Sequence, residues 1–419
     1  MKKSLLAVAA MGAFASAAQA QSSVTVYGLM DVGFQGVTTR GPLSSSQANQ
    51  SNVNITRFSG EGSQSTSRLG FRGNEDLGGG TSAFFTAEFG LSPTDATLSG
   101  NTGNGLFNRQ TFVGLAQKGI GRAAVGTQYT PIHMAVGRTD PGQQNNMVGS
   151  VIYTTNASQG SGQTATSYTV RYNNSLSFMT DRMAGFQVNG IYVNNNANAN
   201  TSAEVGAASV VRTGPSATTA ATTNFSQTIN SAWGLGANYV WKKLNVDAAY
   251  QTSKNTAWTN GAQSAAAMPA TLQATGINFP SNVLGTSLGM TQVYAGAVYD
   301  FGILKAYASY ISAKYESNLN SNIYLNRAGQ QIGVRGNVTP KVEVWASGGS
   351  GSYKAGALNS FTATTNASQN FTAYQIGANY ILSKRTNLYG IFGATQVSSS
   401  SVNISEGASS YGLGVRHTF

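Results

Sequence analysis

The chain has 419 residues, of which only 9% are charged, 25 basic and 14 acidic, for a formal charge of +11; an average soluble chain carries about 25%. Glycine occurs 50 times, cysteine is absent, and the two histidines are His133 and His417. This excludes a disulfide framework, a zinc–thiolate site, a thiol nucleophile and a histidine-rich metal centre, and the low charge with many aromatics excludes disorder.

The first segment reads as a leader. Met1-Lys2-Lys3 precedes an apolar stretch from Leu5 to Ala18, and Ala18-Gln19-Ala20 forms a small-residue cleavage site. These are the parts of a secretory signal peptide. Residues 1–20 are therefore expected to be removed, leaving an exported domain of residues 21–419. Without Lys2 and Lys3 it holds 23 basic and 14 acidic residues. No other apolar run approaches the about 20 residues of a spanning helix. If the mature chain sits in a membrane, it crosses with strands.

From Val24 onward the chain alternates with period two, the mark of a strand with one apolar and one polar face. Val24, Val26, Met30 and Val32 oppose Thr25, Tyr27, Asp31 and Gly33. The same pattern runs through Trp233–Trp241 and Leu244–Gln251. At the end of the chain, Tyr411, Leu413, Val415, His417 and Phe419 oppose Gly412, Gly414, Arg416 and Thr418. Sixteen strands are predicted, starting near residues 23, 64, 80, 107, 121, 166, 185, 230, 244, 289, 303, 328, 341, 370, 386 and 408. Those near 303 and 386 alternate poorly, and their facing stays unassigned. Tight turns (75–79, 242–243, 300–302, 339–340, 383–385) take turns with long polar segments (37–63, 92–106, 130–166, 196–229, 255–288, 352–369). This rhythm describes an all-β, up-and-down antiparallel transmembrane barrel with short turns on one rim and long loops on the other. Tyr239, Trp241, Tyr250, Tyr299 and Tyr380 suit its interfacial girdles. Sixteen strands enclose an aqueous channel, and strand reading begins too early to leave room for a plug.

Alternation aims Arg68 and Arg72 inward, because Leu69 and Phe71 take the other face. Arg171, between Val170 and Tyr172, also points inward, as does Glu88. Arg122 opens an inward phase near the short-turn rim. Arg57 and Arg109 read as lying near the loop rim and remain unassigned. Tyr27, Tyr294 and Trp345 fall on the polar phase but are too scattered to form an aromatic track.

Several motifs resemble one family. They are Ser23-Val24-Thr25-Val26-Tyr27-Gly28-Leu29-Met30-Asp31, Ser67-Arg68-Leu69-Gly70-Phe71-Arg72-Gly73, Glu75-Asp76-Leu77-Gly78-Gly79-Gly80, Phe107-Asn108-Arg109-Gln110-Thr111-Phe112-Val113-Gly114-Leu115, Gln128-Tyr129-Thr130-Pro131 and Gly414-Val415-Arg416-His417-Thr418-Phe419. Together they resemble the general trimeric porins of β-proteobacteria and neisseriae. The resemblance implies a sixteen-stranded outer-membrane homotrimer whose third long loop folds into the lumen as a constriction. It also implies that terminal Phe419 is the signal read by the barrel-assembly machinery. Arg68 and Arg171 match the family's basic ladder opposite that loop. Many relatives carry another basic residue before Tyr-Thr-Pro, where this chain has Thr127, so the ladder is one rung short. The third loop offers His133, Arg138 and one carboxylate, Asp140. The pore-constriction set is thus Arg68, Arg72, Arg171, Arg122, Asp140 and Glu88. With more arginines than acids, the waist is expected to be net positive and weakly to moderately anion-preferring. Lipopolysaccharide phosphates at the outer rim are the competing partner for these arginines.

No phosphate-binding glycine loop, calcium loop or Ser-His-Asp arrangement is visible. No catalysis and no cofactor are therefore expected, and nucleic acid is not an expected partner of an exported chain. The alternative function is a surface adhesin or receptor whose loops bind while the barrel only anchors them.

Overall fold

The computed structural model describes residues 23–42, 50–96, 105–155, 167–197, 226–259, 262–263, 288–318, 321–359, 363–398 and 405–419. The expected leader, residues 1–20, and most of the long segments 196–229 and 255–288 lie outside them. Eighteen antiparallel strand segments form one sheet. In chain order they are β1 Ser23–Pro42, β2 Gln50–Ser59, β3 Arg68–Gly78, β4 Thr81–Gly90, β5 Phe107–Gln117, β6 Gly121–Tyr129, β7 Arg171–Thr180, β8 Phe186–Ala197, β9 Ser226–Trp241, β10 Leu244–Thr259, β11 Ala262–Gln263, β12 Leu288–Asp300, β13 Lys305–Ser317, β14 Tyr324–Thr339, β15 Val342–Asn359, β16 Ala363–Ile381, β17 Thr386–Ser398 and β18 Ser405–Thr418. A single helix of the described residues, α1, spans Pro131–Thr139.

Pairing of β1 with β18 closes the ring, with Leu29 opposite Thr418 and Arg40 opposite Gly407. The segments β2 and β3 both pair with β1, on its upper and lower halves, so they form one stave interrupted at 60–67. The two-residue β11 only turns back on the end of β10. The barrel therefore has sixteen staves, as the alternation predicts. Two expected loops are shorter than their polar composition suggested. Segment 37–63 continues as the β1–β2 hairpin, and 352–369 is largely paired between β15 and β16. Ser, Thr, Asn and Gly serve well there because the paired backbone, rather than side-chain burial, holds such an extension together.

The seam leaves no room for a side chain at Gly28. Gly28 exchanges backbone hydrogen bonds with Phe419, at 3.2 and 3.1 Å. A Cβ on Gly28 would lie 2.6 Å from the Arg68 carbonyl oxygen and 2.5 Å from the Phe419 ring. Gly28→Val should therefore strain the seam by about 1–3 kcal/mol, the usual range for overpacking. It is expected to lower the yield of heat-modifiable barrel on an unheated denaturing gel.

The outer surface is apolar. Val24, Val113, Leu235, Ile332, Ile376 and Leu413 are exposed, as lipid-facing positions must be. The inner surface is not uniformly wet. On one side of the lumen Ile311, Ala313, Tyr315, Leu325, Phe371 and Ala373 point inward and pack on Ile132, Val136, Val151, Ile152 and Tyr168 of the third loop. Beside them, Trp345, Tyr389 and Ile391 pack on Met147. This explains the poor alternation of β13 and β17: their inward positions are apolar because a loop covers them. Tyr294 and Trp345 belong to the same contact, and Tyr294 hydrogen-bonds Thr139 of α1 at 2.6 Å.

Candidate constriction site

The third loop begins with a well-specified helix. Thr130 caps α1 by accepting the His133 N–H at 3.2 Å, and Pro131 occupies the first turn, where its missing N–H is not needed. The Thr-Pro pair was the available signal for this helix, read above only as a family motif. The helix and the loop beyond it run along the inner wall and are tied to it repeatedly. Arg138 makes two hydrogen bonds to the buried Asp247 carboxylate of β10, at 2.9 and 2.5 Å. Gln375 of β16 donates to the carbonyls of Met147 and Val148 at 2.7 and 2.9 Å. Gln331 of β14 accepts the Val151 N–H at 2.9 Å. Arg327, also on β14, donates to the Val151 carbonyl. The wall of β9–β18 is thereby covered, and the third loop faces the wall built by β3–β7.

That wall carries a cluster of charges around Glu88. Glu88 of β4 accepts from Arg109 Nε at 2.7 Å and from the Tyr27 hydroxyl at 3.2 Å, and Arg68 Nε lies 3.8 Å away. Arg109 also donates to the Tyr129 hydroxyl at 3.1 Å. The Arg171 guanidinium lies over the Tyr129 ring, 5.1 Å from its centroid. Arg72 is exposed and lies over the Tyr27 ring at 5.4 Å. Three arginines, Arg68, Arg109 and Arg171, thus surround one glutamate and one tyrosine, leaving the cluster net positive.

Sequence reading missed Arg109. Strict alternation places it outward with Thr111 and Val113, yet it is 5% exposed and faces the lumen. A register shift between Glu88 and Phe89 pairs Glu88 with Gln110 and Phe89 with Asn108. Arg109 is the extra residue of that bulge, and a bulge re-aims the side chain it carries. Other inward arginines left out of the set are Arg327 and Arg335 of β14, both buried against the third loop, and Arg416, half-buried on β18 near Asp31.

Besides the exposed Arg72, two members of the expected set do not join the cluster. Arg122 is exposed beside the β5–β6 turn, against Met179, close to the short-turn rim. Asp140 ends α1 and is 4% exposed, accepting from the Gln144 N–H at 2.7 Å and from Gln331 Nε2 at 3.0 Å. It turns to the β14 wall because it follows the last helical turn, where its carboxylate closes onto the Gln144 amide. Burial, more than anything else, raises its pKa above the ordinary carboxylate value.

His133 lines the loop side. Its ring lies 4.4 Å from the Tyr129 ring, and Gln144 Nε2 is 3.0 Å from its Nδ1. Burial first, then the positive charges of Arg171, Arg109 and Arg68, hold its pKa well below 6.5. A histidine so depressed stays neutral as pH falls from 8 to 6, so it adds no charge to the lumen. His133→Gln should therefore leave the reversal potential in a salt gradient equal to that of the parent at both pH values. A parent-minus-variant difference that grows toward pH 6 would show a charged imidazole instead.

A sixteen-stave barrel with a polar lumen, an apolar outer belt and an inward loop defines the class of water-filled outer-membrane channels. A family model for Gram-negative porins matches residues 7–400, and the chain belongs to that family. It is 36% identical over 202 residues to an outer membrane porin protein of Bordetella pertussis, covering 45% of this chain and 46% of that one. It is 33% identical over 186 residues to outer membrane porin protein 32 of Delftia acidovorans, covering 44% and 48%. The chain thus spans about half the length of the curated relatives it matches. Among solved structures, an anion-selective porin from Comamonas acidovorans superposes with a TM-score of 0.59 at 19% identity, covering 95% of this chain and 100% of that chain. Family and fold place this barrel in the outer membrane of a Gram-negative cell.

Proposed function

We propose that the chain forms a passive diffusion channel for small hydrophilic solutes whose net-positive waist favours anions. The observation that carries this reading is the cluster of Arg68, Arg109 and Arg171 around one glutamate and one tyrosine, facing a third loop whose one carboxylate is turned into the wall. A charge near a narrow, protein-walled path acts more strongly than in open water. The name of the structurally similar Comamonas porin agrees with this direction. Homotrimer formation, lipopolysaccharide contact at the outer rim and recognition of Phe419 by the assembly machinery complete the proposal.

Planar-bilayer recording tests it. Stepwise conductances in threes, with a reversal potential on the anion side in a salt gradient, are the expected result. A clear cation preference would overturn the waist assignment. Silence from correctly folded protein would favour the adhesin or receptor reading, in which the barrel is only an anchor. An unheated gel sample migrating at triple mass would support the trimer.

A further inference from the structure

The third loop is not alone inside the barrel. The interruption between β2 and β3, residues 60–67, also folds inward. It seats on Asp31 of β1, whose side chain is fully buried. One carboxylate oxygen accepts the N–H groups of Gln64 and Ser65, at 3.1 and 2.7 Å. The other accepts the Tyr389 hydroxyl at 2.5 Å. Tyr389 in turn accepts the Ser63 N–H at 3.3 Å. The Asp31 backbone grips the far end of the segment: its N–H donates to Ser67 Oγ at 2.9 Å, and Ser67 Oγ donates to its carbonyl at 3.1 Å. Gly62 supplies the turn with φ +81, and a Cβ there would lie 2.1 Å from the Ser65 carbonyl oxygen.

The segment touches both sides of the lumen. Asn146 of the third loop donates through its backbone N–H to Ser63 O at 2.9 Å and through Nδ2 to Gly62 O at 2.8 Å. Gln64 bridges to Asn379 and Asn387 on β16 and β17, at 2.6 and 2.9 Å. Arg68, the first residue after the segment, reaches back to Ser65 Oγ at 3.5 Å. A buried carboxylate that accepts two backbone N–H groups and a hydroxyl orders a short stretch strongly, because each donor would otherwise be left unpaired.

We propose that residues 60–67 are a second fixed part of the filter, and that Asp31 is the positioning residue that holds them against the third loop and sets the place of Arg68. Asp31 acts through this geometry rather than through its own charge. The proposal rests on the diffusion-channel reading, and its test is chosen to fail separately.

The chain has no cysteine, so a single introduced thiol reports one site. Ser63 is fully buried, and Ser63→Cys changes little in size. In the otherwise native barrel this thiol should react slowly with a cationic methanethiosulfonate. Adding Asp31→Ala should speed labelling at least about tenfold, as expected when several buried donors lose their acceptor. Adding Tyr389→Phe, which changes no charge, should give a smaller increase. Asp31→Asn, which keeps an accepting oxygen, should label close to the parent. In bilayers Asp31→Ala should reduce discrimination between chloride and gluconate, and Asp31→Asn should do so less. Unchanged labelling in both Asp31→Ala and Tyr389→Phe would overturn the proposal. So would an equal selectivity change in the Ala and Asn variants without faster labelling, since that marks a purely electrostatic role. If Asp31→Ala fails to give heat-modifiable barrel, the Tyr389→Phe comparison still decides. Silent bilayers from the parent would sink the channel reading, while the labelling rates would still test the positioning.

Discussion

Replacing Arg68 and Arg171 with glutamine should bring the channel close to no ion preference, and replacing Arg109 as well should reverse it toward cations. The reasoning is charge counting at the cluster. The parent has three guanidinium groups and one carboxylate: Arg68 and Arg109 lie against Glu88, and Arg171 lies over the neighbouring Tyr129 ring. The double variant leaves Arg109 against Glu88, a hydrogen-bonded pair at 2.7 Å that presents little net field. The triple variant leaves Glu88 uncompensated. A unit charge about 6 Å from a permeating ion in a water-like dielectric is worth about 0.7 kcal/mol, roughly threefold in partition. Removing two such charges should lower the partition of anions into the waist by roughly tenfold by the same estimate. Reversal potentials measured in a salt gradient check both steps. An Arg109→Gln single variant that shifts selectivity no more than Arg72→Gln would refute the central place given to the bulged arginine.

The second large effect concerns the seating of the third loop. Arg138→Met should release α1 from the wall, with flickering closures and a broadened conductance. Asp247 is fully buried and receives Arg138 together with Asn238 at 2.9 Å and Asn245 at 3.3 Å. Deleting one partner of a buried pair leaves a charge without its counter-ion and costs about 3–5 kcal/mol. The barrel staves do not depend on that pair, so heat-modifiable migration should persist. Asp247→Asn in the same background should partly restore quiet openings, because it removes the stranded charge while keeping the amide contacts. Open-channel noise in single-channel records is the measurement. Equal noise in parent and Arg138→Met would mean that the apolar contacts of Ile132 and Val136 suffice to hold the helix.

The barrel was legible because alternation is a property of each strand alone. Val24 through Gly33 states its two faces without reference to any neighbour, and tight turns such as 242–243 mark the ends. What could not be read from single strands is what covers them. Ile311 and Leu325 look like lipid-facing residues in the sequence, yet the third loop buries them against the inner wall. Arg109 was left unassigned for a related reason. Its facing depends on a one-residue mismatch between two strands, visible only once they are paired. Arg68 could be aimed inward because Leu69 and Phe71 keep a clean alternation beside it, whereas Arg171 stands at the first position of β7, just ahead of a register shift opposite Gly126 and Gln128. The inward course of 60–67 had no strand-level signal, since its anchor, Asp31, lies about thirty residues earlier in the chain.

The ties of the third loop have a consequence for biogenesis. Asn145 and Gln375, which bond each other at 3.0 Å, are 230 positions apart, and Val148 waits for Ser410 near the last stave. Contacts of such separation form late, because chain closure must precede them. The sieve is therefore assembled after the cylinder that houses it, and a half-built molecule halted in the membrane would leak without sorting what passes.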